Sequence, residues 1–182
     1  MSLNDIEKQN REELFEYIKE TWPDINAILT FMASLLDSGS LYAIEVIESM
    51  GEKAYEKWND GTNYEESIAT ADVRVIDNLR DEMEKLVAFG VTLLEAAEYV
   101  SERFYATRVH DLSRIMVTEK TRIDAANVIE RGDRYIYHCV HDSRTCMYCD
   151  ALDGAVFLSS EGVIGENLPP MHPWCRCWVT DE

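Results

Sequence analysis

The placement of cysteine constrains this chain most. None occurs before residue 139, and five follow: Cys139, Cys146, Cys149, Cys175 and Cys177. Two clusters stand out, Cys146-Met147-Tyr148-Cys149 and His172-Pro173-Trp174-Cys175-Arg176-Cys177, with 22 residues between Cys149 and His172. A C-x-x-C knuckle lets two thiolates reach one ion from a tight turn. A distant H-x-x-C or C-x-C supplies the other corners of a tetrahedron. The spacing predicts a structural zinc site drawn from Cys146, Cys149, His172, Cys175 and Cys177. Five donors compete for four positions. Cys146, Cys149, His172 and Cys175 are the first choice, and Cys177 is able to replace His172 or Cys175. Alternate residues of a strand share a side, so Cys175 and Cys177 are also able to bind together. A disulfide between the clusters is the rival, above all for a protein that leaves the cell. Free, buried thiols are the plain alternative. Cys139 reads as a buried small hydrophobe.

A metal also answers a need for stability. Residues 133–182 carry long loops and few aliphatic side chains, and a core of that size is marginal by itself. A structural zinc contributes about 10–16 kcal/mol of apparent binding free energy. That is comparable with the whole stability of an ordinary domain.

Before the cysteines, the hydrophobic period is helical. A first polar helix covers about 4–20, with Leu14, Phe15, Ile18 and Trp22 on its apolar side. Pro23 restarts the chain, as Pro does at a first helical turn. Ile25, Ile28, Leu29, Met32, Leu35 and Leu36 form one stripe, and Asp37-Ser38-Gly39-Ser40 reads as a break. Leu41, Ile44, Ile47, Tyr55 and Trp58 suggest a further helix that ends at Asn59-Asp60-Gly61. Thr62 and Glu65 form a capping box, and so do Thr92 and Glu95. Between them Ile76, Leu79, Met83, Leu86 and Val87 mark a helix that stops at Gly90. Leu93, Ala97, Val100 and Phe104 continue on one face. Leu112, Ile115, Met116, Ile123 and Ala126 suggest a last helix, with Asp111 at its N-cap behind His110, closed by Gly132. Rows at this spacing are core, and carry no function beyond packing.

After Gly132 the period changes to two. Tyr135, Tyr137 and Cys139 alternate with Ile136, His138 and Val140, which predicts a strand. Asp153-Gly154 is a turn leading into Ala155-Val156-Phe157, residues 159–170 read as a loop, and Cys175 to Thr180 is β-prone. The expected fold is α+β and mostly α, with an N-terminal helical region followed by a small C-terminal β module that carries the Cys/His zinc-type site.

Charge narrows the partners. The chain has 35 acidic and 17 basic residues, a formal charge of −18, with −14 on residues 1–100 and −4 on residues 101–182. Phosphate-backbone binding needs clustered Lys and Arg, so the charge does not support DNA contact. No run of eighteen apolar residues exists, and the expectation is no membrane contact. The N-terminus shows no basic segment followed by an apolar stretch, so the expected compartment is a reducing cytoplasm.

Known catalytic patterns are missing. The sequence has no H-E-x-x-H, no G-x-x-x-x-G-K-[ST], no G-x-S-x-G, and no H-x-E with P-C-x-x-C. The expectation is that the chain is not an enzyme. One alternative draws His138, His141 and Asp142 as the acid–base group of a metal-dependent nuclease or other hydrolase, which requires an open metal position. Another is a zinc-stabilised adaptor of a host cell.

The two clusters extend into a longer signature. Asp142-Ser143-Arg144-Thr145-Cys146-Met147-Tyr148-Cys149-Asp150-Ala151-Leu152-Asp153-Gly154, then Pro169-Pro170-Met171-His172-Pro173-Trp174-Cys175-Arg176-Cys177, resembles the D-x-R-T-C-x-x-C-x-x-L-D-G and P-P-x-H-P-x-C-R-C signature of phage head morphogenesis proteins. These are the Mu-F-like minor head proteins of tailed phages. Val117-Thr118-Glu119, Arg122 and Ala125-Ala126 resemble the helical segment before that motif, and the match covers about residues 108–180. Asn127 falls two residues later than the family pattern, and no role is carried onto it.

The resemblance implies a minor structural protein of the head, present in few copies. It would act near the portal in capsid assembly and in DNA packaging or delivery. Its implied partners are the portal protein, the major capsid protein or both. Its implied location is the virion head, and the host cytoplasm during assembly. On this reading residues 1–107 are an acidic helical region that faces portal or capsid, and 108–182 are the family-like region. Some relatives carry a further C-terminal effector domain. Glu182 follows the motif closely, so the expectation is a chain without one or a truncated chain. Glu119 and Arg122, one helical turn apart, are expected to pair or to anchor their helix to the cysteine module.

Overall fold

The computed structural model describes residues 1–50 and 63–182. Its helices are α1 (Leu3–Thr21), α2 (Ile25–Met50), α3 (Tyr64–Ala88), α4 (Leu93–Ile129) and the short α5 (Met147–Leu152). Its strands are β1 (Arg134–His138), β2 (Val156–Leu158) and β3 (Trp178–Asp181), in antiparallel order β2-β1-β3. The fold is mostly helical with a small sheet at its C-terminal end, as the periods require. Two compact units result. The first comprises Met1–Glu45 and Asn63–Ser113, and the second Arg114–Glu182 with the stretch that begins at Val46.

The first unit is a helical core. Leu14 and Ile18 of α1, Ile28, Met32 and Leu36 of α2, Val75, Leu79 and Met83 of α3, and Ala97, Val100 and Phe104 of α4 are buried together. Ser2 caps α1 in a capping box with Asp5. The Thr92–Glu95 box opens α4: the Thr92 N–H donates to Glu95 Oε2 at 3.1 Å, and the Glu95 N–H to Thr92 Oγ at 3.4 Å. At α3 the cap differs from the expected one. Asn63 accepts from the backbone of Glu65 and Glu66, while Thr62 lies outside the described residues. Tyr55, Trp58 and the expected stop at Asn59-Asp60-Gly61 also lie outside them.

Two expected breaks are absent, each for a physical reason. Asp37-Ser38-Gly39-Ser40 lies inside α2, and its polar residues serve a buried network instead of a turn. The Arg108 guanidinium is fully buried. Its Nε lies 3.4 Å from Glu7 of α1, its Nη1 pairs with Asp72 of α3, and its Nη2 donates to the Leu36 carbonyl at 2.9 Å and to Ser40 Oγ at 3.0 Å. Ser40 donates to Asp72 at 2.8 Å. Asn10 donates to Glu7, to the Leu35 carbonyl and to Ser38. Four helices thus meet at one cation. Burial pushes the Glu7 and Asp72 carboxyls up, and the Arg108 charge opposes that shift.

The second absent break lies before Leu112. Residues 105–111 contain neither Gly nor Pro, and α4 runs unbroken to Ile129. Asp111 is therefore no N-cap. It is buried inside the helix and accepts from Arg74 at 2.6 Å, with His110 Nδ1 3.2 Å away. By length and composition α2 is apolar enough to cross a membrane, which counting uninterrupted apolar residues misses. In this fold its apolar stripe lines the helical core.

In the second unit the sheet register places Tyr135 and Tyr137 of β1 beside Val179 of β3 on the buried face. His138 and Trp178 occupy the other face and stack at 5.4 Å. Ala125 and Ile129 of α4 close the same core, which also contains Cys139, Cys149, Cys175 and Cys177.

Two outcomes follow for the helical unit. Arg108→Met leaves Glu7 and Asp72 buried without their cation, a loss of about 3–5 kcal/mol. Adding Glu7→Gln and Asp72→Asn is expected to recover much of it, as read by urea midpoints. In an ordinary helix interior Gly→Ala stabilises by about 1 kcal/mol. At Gly39 a Cβ would overlap the Glu7 carboxylate and stand 3.2 Å from Arg108 Nη2, so Gly39→Ala is expected to lower the thermal midpoint.

Candidate metal centre

The first cluster is built by a turn and a helix start. Beyond β1 the chain reaches Asp142, whose side chain accepts from the Arg144 N–H at 2.9 Å. The Thr145 N–H donates to the Asp142 carbonyl at 3.0 Å, and the Thr145 hydroxyl donates to the Val140 carbonyl. This turn delivers Cys146 to the N-cap of α5, where its sulfur accepts from the Cys149 N–H at 3.3 Å. Both thiols of the knuckle then face one side. At the far end of α5, Asp153 Oδ1 accepts from the Cys139 N–H at 2.8 Å, and Gly154 turns the chain at φ +75 so that its N–H meets the Tyr137 carbonyl at 2.8 Å. The L-D-G part of the signature thereby joins the knuckle to β1.

The second cluster turns just as tightly. The Cys175 N–H donates to the His172 carbonyl at 3.0 Å. Trp174, between them, has φ +66, a left-handed conformation that costs a non-glycine residue about 1–2 kcal/mol. Arg176 reaches across to the first cluster's turn. Its Nη1 and Nη2 each lie 2.7 Å from a carboxylate oxygen of Asp142. This bidentate pair ties the two halves of the signature across 34 residues and holds the Asp142 carboxyl well below the usual carboxylate range.

Cys149 is where the clusters meet. Cys146, Cys149 and His172 offer ligand atoms within 4.8 Å of one another, and so do Cys149, Cys175 and Cys177. His172 Nε2 lies 3.4 Å from both Cys146 Sγ and Cys149 Sγ. Zinc–nitrogen and zinc–sulfur bonds at tetrahedral angles put that edge at about 3.6 Å, so the donor set fits such an ion. His172 Nδ1 faces the Pro173 carbonyl at 2.9 Å. A proton there leaves the Nε2 lone pair free for a metal, the second-shell arrangement usual for ligating histidine. Thr121 of α4 donates to the Cys175 carbonyl at 3.3 Å. The buried Tyr137 hydroxyl finds no nitrogen or oxygen partner among the described residues and faces the Cys149 and Cys177 sulfurs.

The sulfurs of the two clusters are electrostatically coupled. The Cys177 thiol donates to Cys175, drawing Cys175 down to about 5 and pushing Cys177 far up. Burial pushes Cys149 up to about 11, while the Cys149 backbone N–H lowers Cys146. A divalent ion would supply the charge that lets these thiols ionise.

All five expected donors therefore converge, and none of the cysteines is in a disulfide. Cys139 is buried, as expected. The nuclease-like grouping of His138, His141 and Asp142 does not assemble. His138 stacks on Trp178 and lies 2.9 Å from Thr180, His141 meets Asp150 and Asp153, and Asp142 turns to Arg176. Glu119 and Arg122 do approach, at 3.5 Å and buried, and Thr121 of the same helix donates a hydrogen bond to the cysteine module. The sequence signals for Asp142 and Arg176 were present in the signature, but their partnership is a tertiary fact. Arg176→Met is expected to lower the thermal midpoint of the second unit at neutral pH. Because the folded-state Asp142 carboxyl is depressed, the pair contributes fully above about pH 4 and loses its contribution as pH falls further. The gap between variant and parent should then narrow in acid.

Comparison with curated proteins and with solved structures returns no significant match. The family model described as Phage Mu protein F like protein matches residues 76–180. That span takes in the C-terminal half of α3, all of α4, nearly all of the sheet and both clusters. It covers more than half of the chain, and the protein belongs to the phage Mu protein F-like family.

Proposed function

We propose that this protein is a minor structural component of a phage head that acts near the portal in capsid assembly and in DNA packaging or delivery. The carrying observation is the paired signature, whose two halves are locked by the Asp142–Arg176 pair and converge on Cys149. Its partners on this reading are other head proteins, the portal or the major capsid protein, and its place is the virion head.

The centre is proposed to hold zinc as a staple. Cys146, Cys149, His172, Cys175 and Cys177 offer more donors than a tetrahedral ion needs, which leaves no position for a reacting water. This favours a non-enzymatic role. The net charge of −18 argues that contacts to DNA, if made in the head, are not made through a basic surface of this chain.

Cys149 belongs to both donor groups, so Cys149→Ser is expected to cost more zinc affinity than Cys146→Ser or Cys177→Ser. Stripping the metal with a chelator should expose residues 133–182 to hydrogen exchange and proteolysis. Retained protection without metal would overturn the staple. In the phage, deletion of the gene is expected to leave defective or non-infectious heads. Heads that assemble, package and deliver DNA normally without this protein would refute the head function.

A further inference from the structure

A second group of donors lies outside the centre described above and shares no residue with it. Cys139, His141 and Asp150 offer a sulfur, a nitrogen and an oxygen within 4.8 Å of one another. Cys139 and His141 follow β1 in the chain, and Asp150 lies on α5. We propose that these three residues form a second, solvent-facing site for a borderline divalent cation of the zinc class.

The geometry around His141 carries the inference. Its Nδ1 lies 3.3 Å from Asp150 Oδ1 and 3.8 Å from Cys139 Sγ. Tetrahedral edges around zinc are about 3.4 Å for nitrogen to oxygen and about 3.6 Å for nitrogen to sulfur. On the opposite side of the ring, Nε2 lies 3.0 Å from Asp153 Oδ2. Asp153 is itself fixed, because its other oxygen accepts the Cys139 N–H at 2.8 Å. One carboxylate thus holds both the ligating ring and the backbone of the ligating thiol.

A proton on Nε2, donated to Asp153, selects the tautomer that turns the Nδ1 lone pair toward Asp150 and Cys139. That lone pair then faces a carboxylate oxygen and a sulfur. Such an arrangement needs a positive charge in its midst, supplied either by a metal ion or by a second ring proton. The thiol favours the metal. Burial and the neighbouring Asp153 and Asp150 carboxylates push the Cys139 thiol up, so a divalent ion bound there has to displace the thiol proton, and in doing so gains a sulfur ligand that a second ring proton would not.

Three protein ligands leave at least one position open. His141 and Asp150 are both 63% exposed, so that position faces solvent. It is suited to a water or to a side chain of a neighbouring molecule. This distinguishes the site from the sulfur-rich centre, where protein donors suffice.

The test is metal stoichiometry on the full chain, stripped under reducing conditions and titrated with Zn²⁺ and Co²⁺. Two equivalents are expected, the weaker one lost or weakened at least tenfold in both His141→Gln and Asp150→Asn. Both residues are exposed, and the sulfur-rich centre reports separately through its thiolate-to-Co²⁺ absorption, which should persist in these variants. Cys139→Ser is expected to remove the second equivalent as well. A parent chain that binds a single equivalent would overturn the proposal. Two equivalents that survive His141→Gln and Asp150→Asn together would also overturn it. Neither result would touch the assignment of the first centre, which rests on the variants at Cys149.

Discussion

Four donor atoms from two distant segments crowd around the Cys149 sulfur, and the second unit is arranged to permit it. Soft ligands at such separations gain nothing from local structure, so every approach must be fixed by something else. The Asx-type turn at Asp142 presents Cys146, the N-cap geometry of α5 presents Cys149, and the left-handed Trp174 brings Cys175 back beneath His172. The bidentate Arg176–Asp142 pair then sets the distance between the halves. Around this cluster Tyr135, Tyr137, Val179, Ala125 and Ile129 complete a core in which four of the five cysteines are buried. Sulfur thus serves as both ligand and core.

The helical unit solves a comparable problem with charge. From within α4, Arg108 joins residues of α1, α2 and α3 without exposure to water. A buried ion group contributes little net stability compared with apolar packing, but removing one member is costly. It therefore specifies register: Glu7, Gly39, Ser40 and Asp72 have to be opposite Arg108 together. The two units hold their long-range order by different chemistry, an Arg-centred polar network in one and a thiol–imidazole cluster in the other.

Much of the site was legible before any coordinates. The C-x-x-C and H-x-x-C-x-C spacing identified all five converging donors, because ligand spacing is a local property of the chain. Helix periods and the Thr92–Glu95 box were legible for the same reason. Asp37-Ser38-Gly39-Ser40 was misread, since short polar residues with glycine signal a turn unless a buried partner claims them, and that partner, Arg108, lies about seventy residues away. Asp111 was misread as a cap because Arg74, which satisfies it inside the helix, is 37 residues distant. Cys139 was correctly read as buried, but its approach to His141 and Asp150 depends on where α5 rests.

Sequence alone determined the class of secondary structure, the two cysteine-bearing clusters and the family signature. Each of these is encoded in residue type at short separation. Tertiary structure decided which donors share Cys149, that Arg176 belongs to Asp142, that α2 and α4 run unbroken, and that His138, His141 and Asp142 part company. Those outcomes depend on side chains that meet only after the chain has folded back on itself, where burial and pairing outweigh local propensity.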